Sequence, residues 1–171
     1  MYPSQSTTNS NLTWPLECWV VTEVNRVDDR QEMMPEMKND IRFSMSLLDG
    51  EGVRLLHPSP EHCPQKLMKK DEVMLPLSGE TLAAFSFIYP GYRNKEITVG
   101  FKLPRGKITR GDLFVKAAKA VALSHKFISS RSPEITSYRN LKICRLQNLT
   151  QDPHPGVRDN AELVWNIVLE A

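Results

Sequence analysis

The chain has 171 residues, 40% apolar and 25% charged, with 22 Lys and Arg against 20 Asp and Glu for a formal net charge of +2. That length and composition suit one globular domain able to bury a core without disulfide or metal staples. Three cysteines, Cys18, Cys63 and Cys144, exclude a fully paired disulfide framework, and no apolar run reaches transmembrane length.

Residues 1–16 carry no charged side chain and are rich in Ser, Thr, Asn and Gln. They are expected to form a mobile tail ahead of a single globular domain over 17–171. No basic segment followed by an apolar stretch opens the sequence, so a cytosolic protein with reduced thiols is expected. The Asn-X-Thr triplets at Asn11 and Asn148 then go unused. Residues 18–27 are rich in β-branched and aromatic side chains and predict a strand. Residues 28–40 are polar around Met33, Met34 and Met37, and Pro35 limits any helix there to a turn.

The stretch 41–47 alternates, with Ile41, Phe43, Met45 and Leu47 on one side, as a half-buried strand does. Asp49-Gly50-Glu51-Gly52 signals a turn, so residues 53–56 are expected to pair back as a hairpin. Three prolines make residues 57–65 a loop. Residues 81–89 and 96–103 predict two strands joined around Pro90-Gly91.

The apolar period then changes from 2 to 3.6. Leu113, Ala117, Ala120, Val121 and Ser124 predict a helix over about 110–128. Thr109 followed three residues later by Asp112 is a capping-box start, and Ser129 to Pro133 end the pattern. Residues 141–146 and 162–169 predict two more strands, the latter with Leu163, Trp165, Ile167 and Leu169 on one face. The fold class is α+β: a largely antiparallel sheet packed with one principal helix.

Charge is concentrated along this chain. Residues 101–145 hold eleven basic side chains and two acidic ones, a net +9, which leaves −7 for the remainder. Such a split points to an anionic partner, or to a second copy whose acidic side meets the basic one. The candidate anion-binding residues, for phosphate or lipid headgroups, are Lys102, Arg105, Lys107, Arg110, Lys116, Lys119 and Lys126. The first four crowd a strand end and turn, where Pro104 and Gly106 leave backbone amides available. On a helix, Lys116, Lys119 and Lys126 share the outer side, opposite the small residues that pack on the sheet. The helix dipole favours anions at its start. Phe101, Phe114 and Phe127 are read as core, and no zinc-finger spacing or RNP-type aromatic motif is present, so any nucleic-acid contact is to the backbone rather than the base sequence.

Catalytic and metal chemistry find little support. His57, His62 and Cys63 lie in the loop "HPSPEHCP" without the paired spacing of a structural zinc site. A His and a Cys adjacent in sequence do not have the geometry of a nucleophile and its base. No phosphate-binding glycine loop and no acid/base carboxylate pair stands out. No enzyme activity, cofactor, metal or small-molecule substrate is expected. Arg110-Gly111-Asp112 spells an adhesion tripeptide by chance at a helix start.

The segment "EITVGFKLPRGKITRGDLFVKAAKAVALSHKF", residues 96–127, resembles part of the core domain of rhabdovirus matrix proteins: a strand, a basic turn and a capped helix rich in Ala and Val. Size, a polar N-terminal tail and a mildly basic isoelectric point are similar to the small matrix proteins of plant-infecting cytorhabdoviruses. The resemblance covers about a fifth of the chain. The lysine-rich N-terminus and the proline–tyrosine budding motif of animal-virus members are not found in residues 1–16. The resemblance implies a non-enzymatic structural protein of the virion and host cytoplasm. Such a protein self-associates and bridges the ribonucleoprotein to an anionic membrane surface. The alternative is a cytosolic RNA-binding protein that reads the backbone without sequence preference, such as a silencing suppressor.

Overall fold

The computed structural model describes residues 20–25, 40–45, 50–55, 64–92, 95–149 and 161–171. The expected tail, most of the 28–40 segment and the His57/His62/Cys63 loop lie outside them.

Among the described residues nine strands and one long helix follow in chain order: β1 (Val20–Asn25), β2 (Ile41–Arg42), β3 (Val53–Arg54), β4 (Val73–Leu77), β5 (Thr81–Phe87), β6 (Lys95–Leu103), β7 (Gly106–Thr109), α1 (Arg110–Ser129), β8 (Lys142–Asn148) and β9 (Leu163–Glu170). A single 3-10 turn, Tyr138–Asn140, precedes β8. The main sheet runs β1-β6-β5-β9-β8-β2, with β3 also on β8. Every pairing is antiparallel except β5 with β9. This is the α+β architecture that the sequence predicts, and the strands at 18–27, 81–89, 96–103, 141–146 and 162–169 all form with bounds shifted by a few residues.

Strand alternation builds the core. Phe85 and Phe87 of β5, Ile97, Val99, Phe101 and Leu103 of β6, and Trp165 and Ile167 of β9 belong to one buried cluster beneath α1. Phe85 lies at its middle, 4.8 Å from the Phe101 ring and 5.7 Å from that of Trp165. The opposite sheet face is buried as well and polar in part. Ser86 hydrogen-bonds Thr98 at 3.1 Å, and the Asn166 amide donates to Gln147 at 2.8 Å. Buried polar groups of this kind need such partners to avoid an uncompensated loss of hydration. Helix α1 lies close on the sheet because its inner side is small: Ala117, Ala118, Ala120, Val121 and Ser124 are all fully buried. Among the described residues no helix is long and apolar enough to cross a membrane.

The segment after residue 40 departs from expectation. The expected hairpin would return residues 53–56 on 41–47; among the described residues, 53–55 do not pair with 41–45 in that way. β2 and β3 instead lie end to end along the same edge of β8, with Ile41 opposite Leu146 and Val53 opposite Ile143. Phe43 N–H still donates to the Cys144 carbonyl, and Gly52 N–H closes back onto the Phe43 carbonyl at 2.8 Å. Gly52 has φ of +112°, and a Cβ there would stand 3.1 Å from the Lys142 side chain. The glycine pair therefore serves to leave and rejoin one ladder rather than to turn between two strands. A second element was also not expected: β4 pairs with β7 as a separate two-stranded ribbon.

Candidate anion-binding surface at the start of the helix

The helix begins as its sequence predicts. Thr109 caps it, its hydroxyl accepting from Asp112 N–H at 3.1 Å while the Asp112 carboxylate accepts from Thr109 N–H at 3.0 Å. A cap of this kind contributes about 1 kcal/mol. The next two amides are also used: Arg110 N–H donates to the Glu72 carbonyl at 2.9 Å and Gly111 N–H to the Lys70 carbonyl at 2.8 Å. The amides of residues 109–112 are thus all engaged, and the Asp112 carboxylate already sits at the positive end of the helix. Residues 106–109 are strand, not open turn.

What holds those amides is a segment that the charge count passed over. Residues 64–72 fold onto the helix start and bring Lys66, Lys69 and Lys70 with them. Lys69 adopts φ of +54°, the one non-glycine residue in the left-handed region among the described residues. Its carbonyl accepts from Glu72 N–H at 3.0 Å, which tightens the turn. Lys66 and Lys69 are exposed, and Lys70 reaches the Gln65 side chain at 3.3 Å. The ribbon then sets Lys107 opposite Pro76 and keeps both Lys107 and Arg105 exposed. Lys66, Lys69, Arg105 and Lys107 are thus four exposed cations on the turn and at the ribbon leading to the helix start, where the carboxylates of Asp71, Glu72 and Asp112 are exposed as well. Only two of these cations were among the sequence candidates.

The other candidates divide. Lys102 is on β6 and pairs with Glu80 at 3.6 Å. Arg110 is structural: it bonds Glu72 at 2.7 Å and the Arg42 carbonyl at 2.6 Å, with its side chain only 13% exposed. The guanidinium's hydrogen bond, then its charge, holds the Glu72 carboxyl below the usual carboxylate range. Lys119 is half-buried and Lys126 exposed along the outer helix. Lys116, like Lys119, is less exposed than expected for the outer side. It is half-buried, and desolvation followed by the charge of Lys119 brings its ammonium down to about 8.

The sign of that shift sets a test. A lysine whose folded value is depressed is protonated more fully in the unfolded chain between about 8 and the usual 10.5. Stability therefore rises with pH across that window as the cost of burying the charge is relieved. Lys116→Met is expected to raise the melting temperature at pH 7 by about 2–4 °C, allowing for partial exposure. The gain over the parent should shrink above pH 8. A variant that is less stable than the parent at every pH would show that the contacts of Lys116 outweigh the cost of burying its charge.

No metal-binding group of three or more His, Cys, Asp or Glu side chains exists among the described residues. Cys144 is buried, its thiol donating to Glu170 at 3.6 Å. Burial, then the Glu170 charge, pushes that thiol up to about 12, far from a reactive thiolate at neutral pH. Phe101 and Phe114 are core, as expected, and Phe127 packs against the core's margin. Comparison with known proteins supplies no further guide: no family model, no curated protein and no solved structure matches this chain.

Proposed function

We propose that this chain is a non-enzymatic, matrix-like structural protein of a virion and its host cytoplasm. It self-associates and bridges a ribonucleoprotein to an anionic membrane surface. The observation that carries the reading is the set of exposed cations, Lys66, Lys69, Arg105 and Lys107, around the positive end of a 20-residue helix. The cations need no cofactor and carry no nucleophile. What they offer is attraction to a surface of phosphate groups. The charge split between residues 101–145 and the rest of the chain supplies a means for copies to associate, basic side to acidic side.

Flotation with vesicles of neutral and anionic lipid tests this, at low and moderate salt, with and without competing RNA. Binding to anionic vesicles that salt weakens is the expected result. Each lysine near such a surface contributes about 1 kcal/mol, so Lys66→Ala with Lys69→Ala should weaken flotation about thirtyfold. Equal flotation with neutral vesicles, or no flotation at low salt, would overturn the membrane assignment.

A further inference from the structure

A bridge needs a second surface, and the other end of the helix supplies one of different chemistry. A helix of 20 residues is about 30 Å long, so its two ends are well separated. At the far end cations are interleaved with aromatic rings. The Arg131 guanidinium lies over the Phe127 ring, 4.5 Å from its centre. The Arg139 guanidinium lies 5.9 Å from the centre of the Tyr138 ring, which stands edge-on to His125 at 5.7 Å.

Helical geometry orders these groups. Successive residues turn by about 100°, so His125 and Phe127 stand on opposite flanks of α1 and Lys126 faces outward between them. Exposure agrees: Lys126 is exposed, and the residues on either side of it are half-buried. Across the helix end the sequence of groups is therefore a ring with its guanidinium, a lone ammonium, and a second ring with its guanidinium. Arg131 is also tied to Glu23 at 3.7 Å, which fixes the guanidinium while leaving its side chain 55% exposed.

We infer that this band is a track for single-stranded nucleic acid. Bases stack on the Tyr138 and Phe127 platforms or on the outer faces of their guanidiniums, and phosphates meet Lys126, Arg131 and Arg139. Base stacking on aromatic and guanidinium planes tolerates any sequence, in keeping with a chain that carries no base-reading motif. A lipid surface would use the charges but not the paired flat faces. The inference rests on the bridging reading, for which it supplies the ribonucleoprotein side.

The test uses the full chain with a fluorescent single-stranded oligouridylate and a double-stranded RNA of equal length. Phe127→Leu and Tyr138→Leu keep an apolar side chain against the core and remove the flat face. Each is expected to weaken single-strand binding about tenfold with an unchanged salt slope. Arg139→Gln should weaken binding and lower the salt slope by about 1. Ultraviolet crosslinking should place the oligonucleotide on Tyr138 or Phe127. The Lys66→Ala, Lys69→Ala chain should bind the oligonucleotide as the parent does. Leucine variants that bind like the parent, or double strands bound as tightly as single ones, would overturn the track while leaving the membrane surface standing. Loss of oligonucleotide binding in the helix-start variant alone would move the nucleic acid to that end. A parent chain that binds neither RNA nor vesicles would overturn both assignments. Vesicle flotation that falls in the leucine variants in step with oligonucleotide binding would make the band a lipid contact.

Discussion

Phe85→Ala is expected to cost about 3–5 kcal/mol, the range for truncating a buried aromatic residue. Phe85 is fully buried and sits on the central strand, where β6 flanks it on one side and the parallel strand β9 on the other. Its ring touches both neighbours through Phe101 and Trp165, so the cavity would open between three strands rather than at a margin that could collapse. In a chain of this size the loss lowers the melting temperature by about 6–20 °C. Urea unfolding should show a lower midpoint with an unchanged slope, because the area exposed on unfolding hardly changes. A loss below about 1 kcal/mol would mean that Phe85 does not occupy the middle of the core.

The core was legible because strands and the helix each repeat one period. The alternation in 162–169 assigns the buried row of β9 directly, and the small residues from Leu113 to Ser124 assign the inner helix side. The capping box of Thr109 and Asp112 marks the helix start to the residue. What failed to show was pairing between distant segments. The Asp49–Gly52 signal resembles a hairpin turn because glycine at positive φ serves both a hairpin and an excursion from one ladder. Only the partner strand, about ninety residues later, decides between them. β4 was hidden because "VMLPL" holds a proline and lacks a clean period. Proline is tolerated in a two-stranded ribbon, where one edge of each strand needs no ladder donor. The same distance hid Lys66, Lys69 and Lys70. The basic segment counted along the sequence begins at residue 101, whereas the fold carries residues 64–72 to the helix start.

Those hidden contacts also give the charged residues unlike roles, and Arg110 is the sharpest case. Counted with the anion-binding lysines by its charge, it is instead the joint that ties three segments at the helix start. Its guanidinium bonds the Arg42 carbonyl at the end of β2 and the Glu72 carboxylate, while its own N–H bonds the Glu72 carbonyl. Arg110→Ala is expected to cost about 2–4 kcal/mol. The charge-assisted bond to the Arg42 carbonyl accounts for about 1.5–3 of this, and lost packing of the stem adds to it. Glu72 is exposed, so its part shows as pH dependence rather than as a large loss. A carboxyl whose folded value is depressed adds stability above its unfolded value, and this is lost as pH falls through the folded one. In the parent that acid-side decline should be visible in a titration of melting temperature; in Arg110→Ala it should be smaller. Arg110→Lys keeps the charge but not the planar fork, and should recover only part of the stability. If Arg110→Ala instead left stability intact and reduced vesicle flotation by itself, Arg110 would be a surface ligand, and residues 64–72 would be held to the helix by the backbone bonds alone.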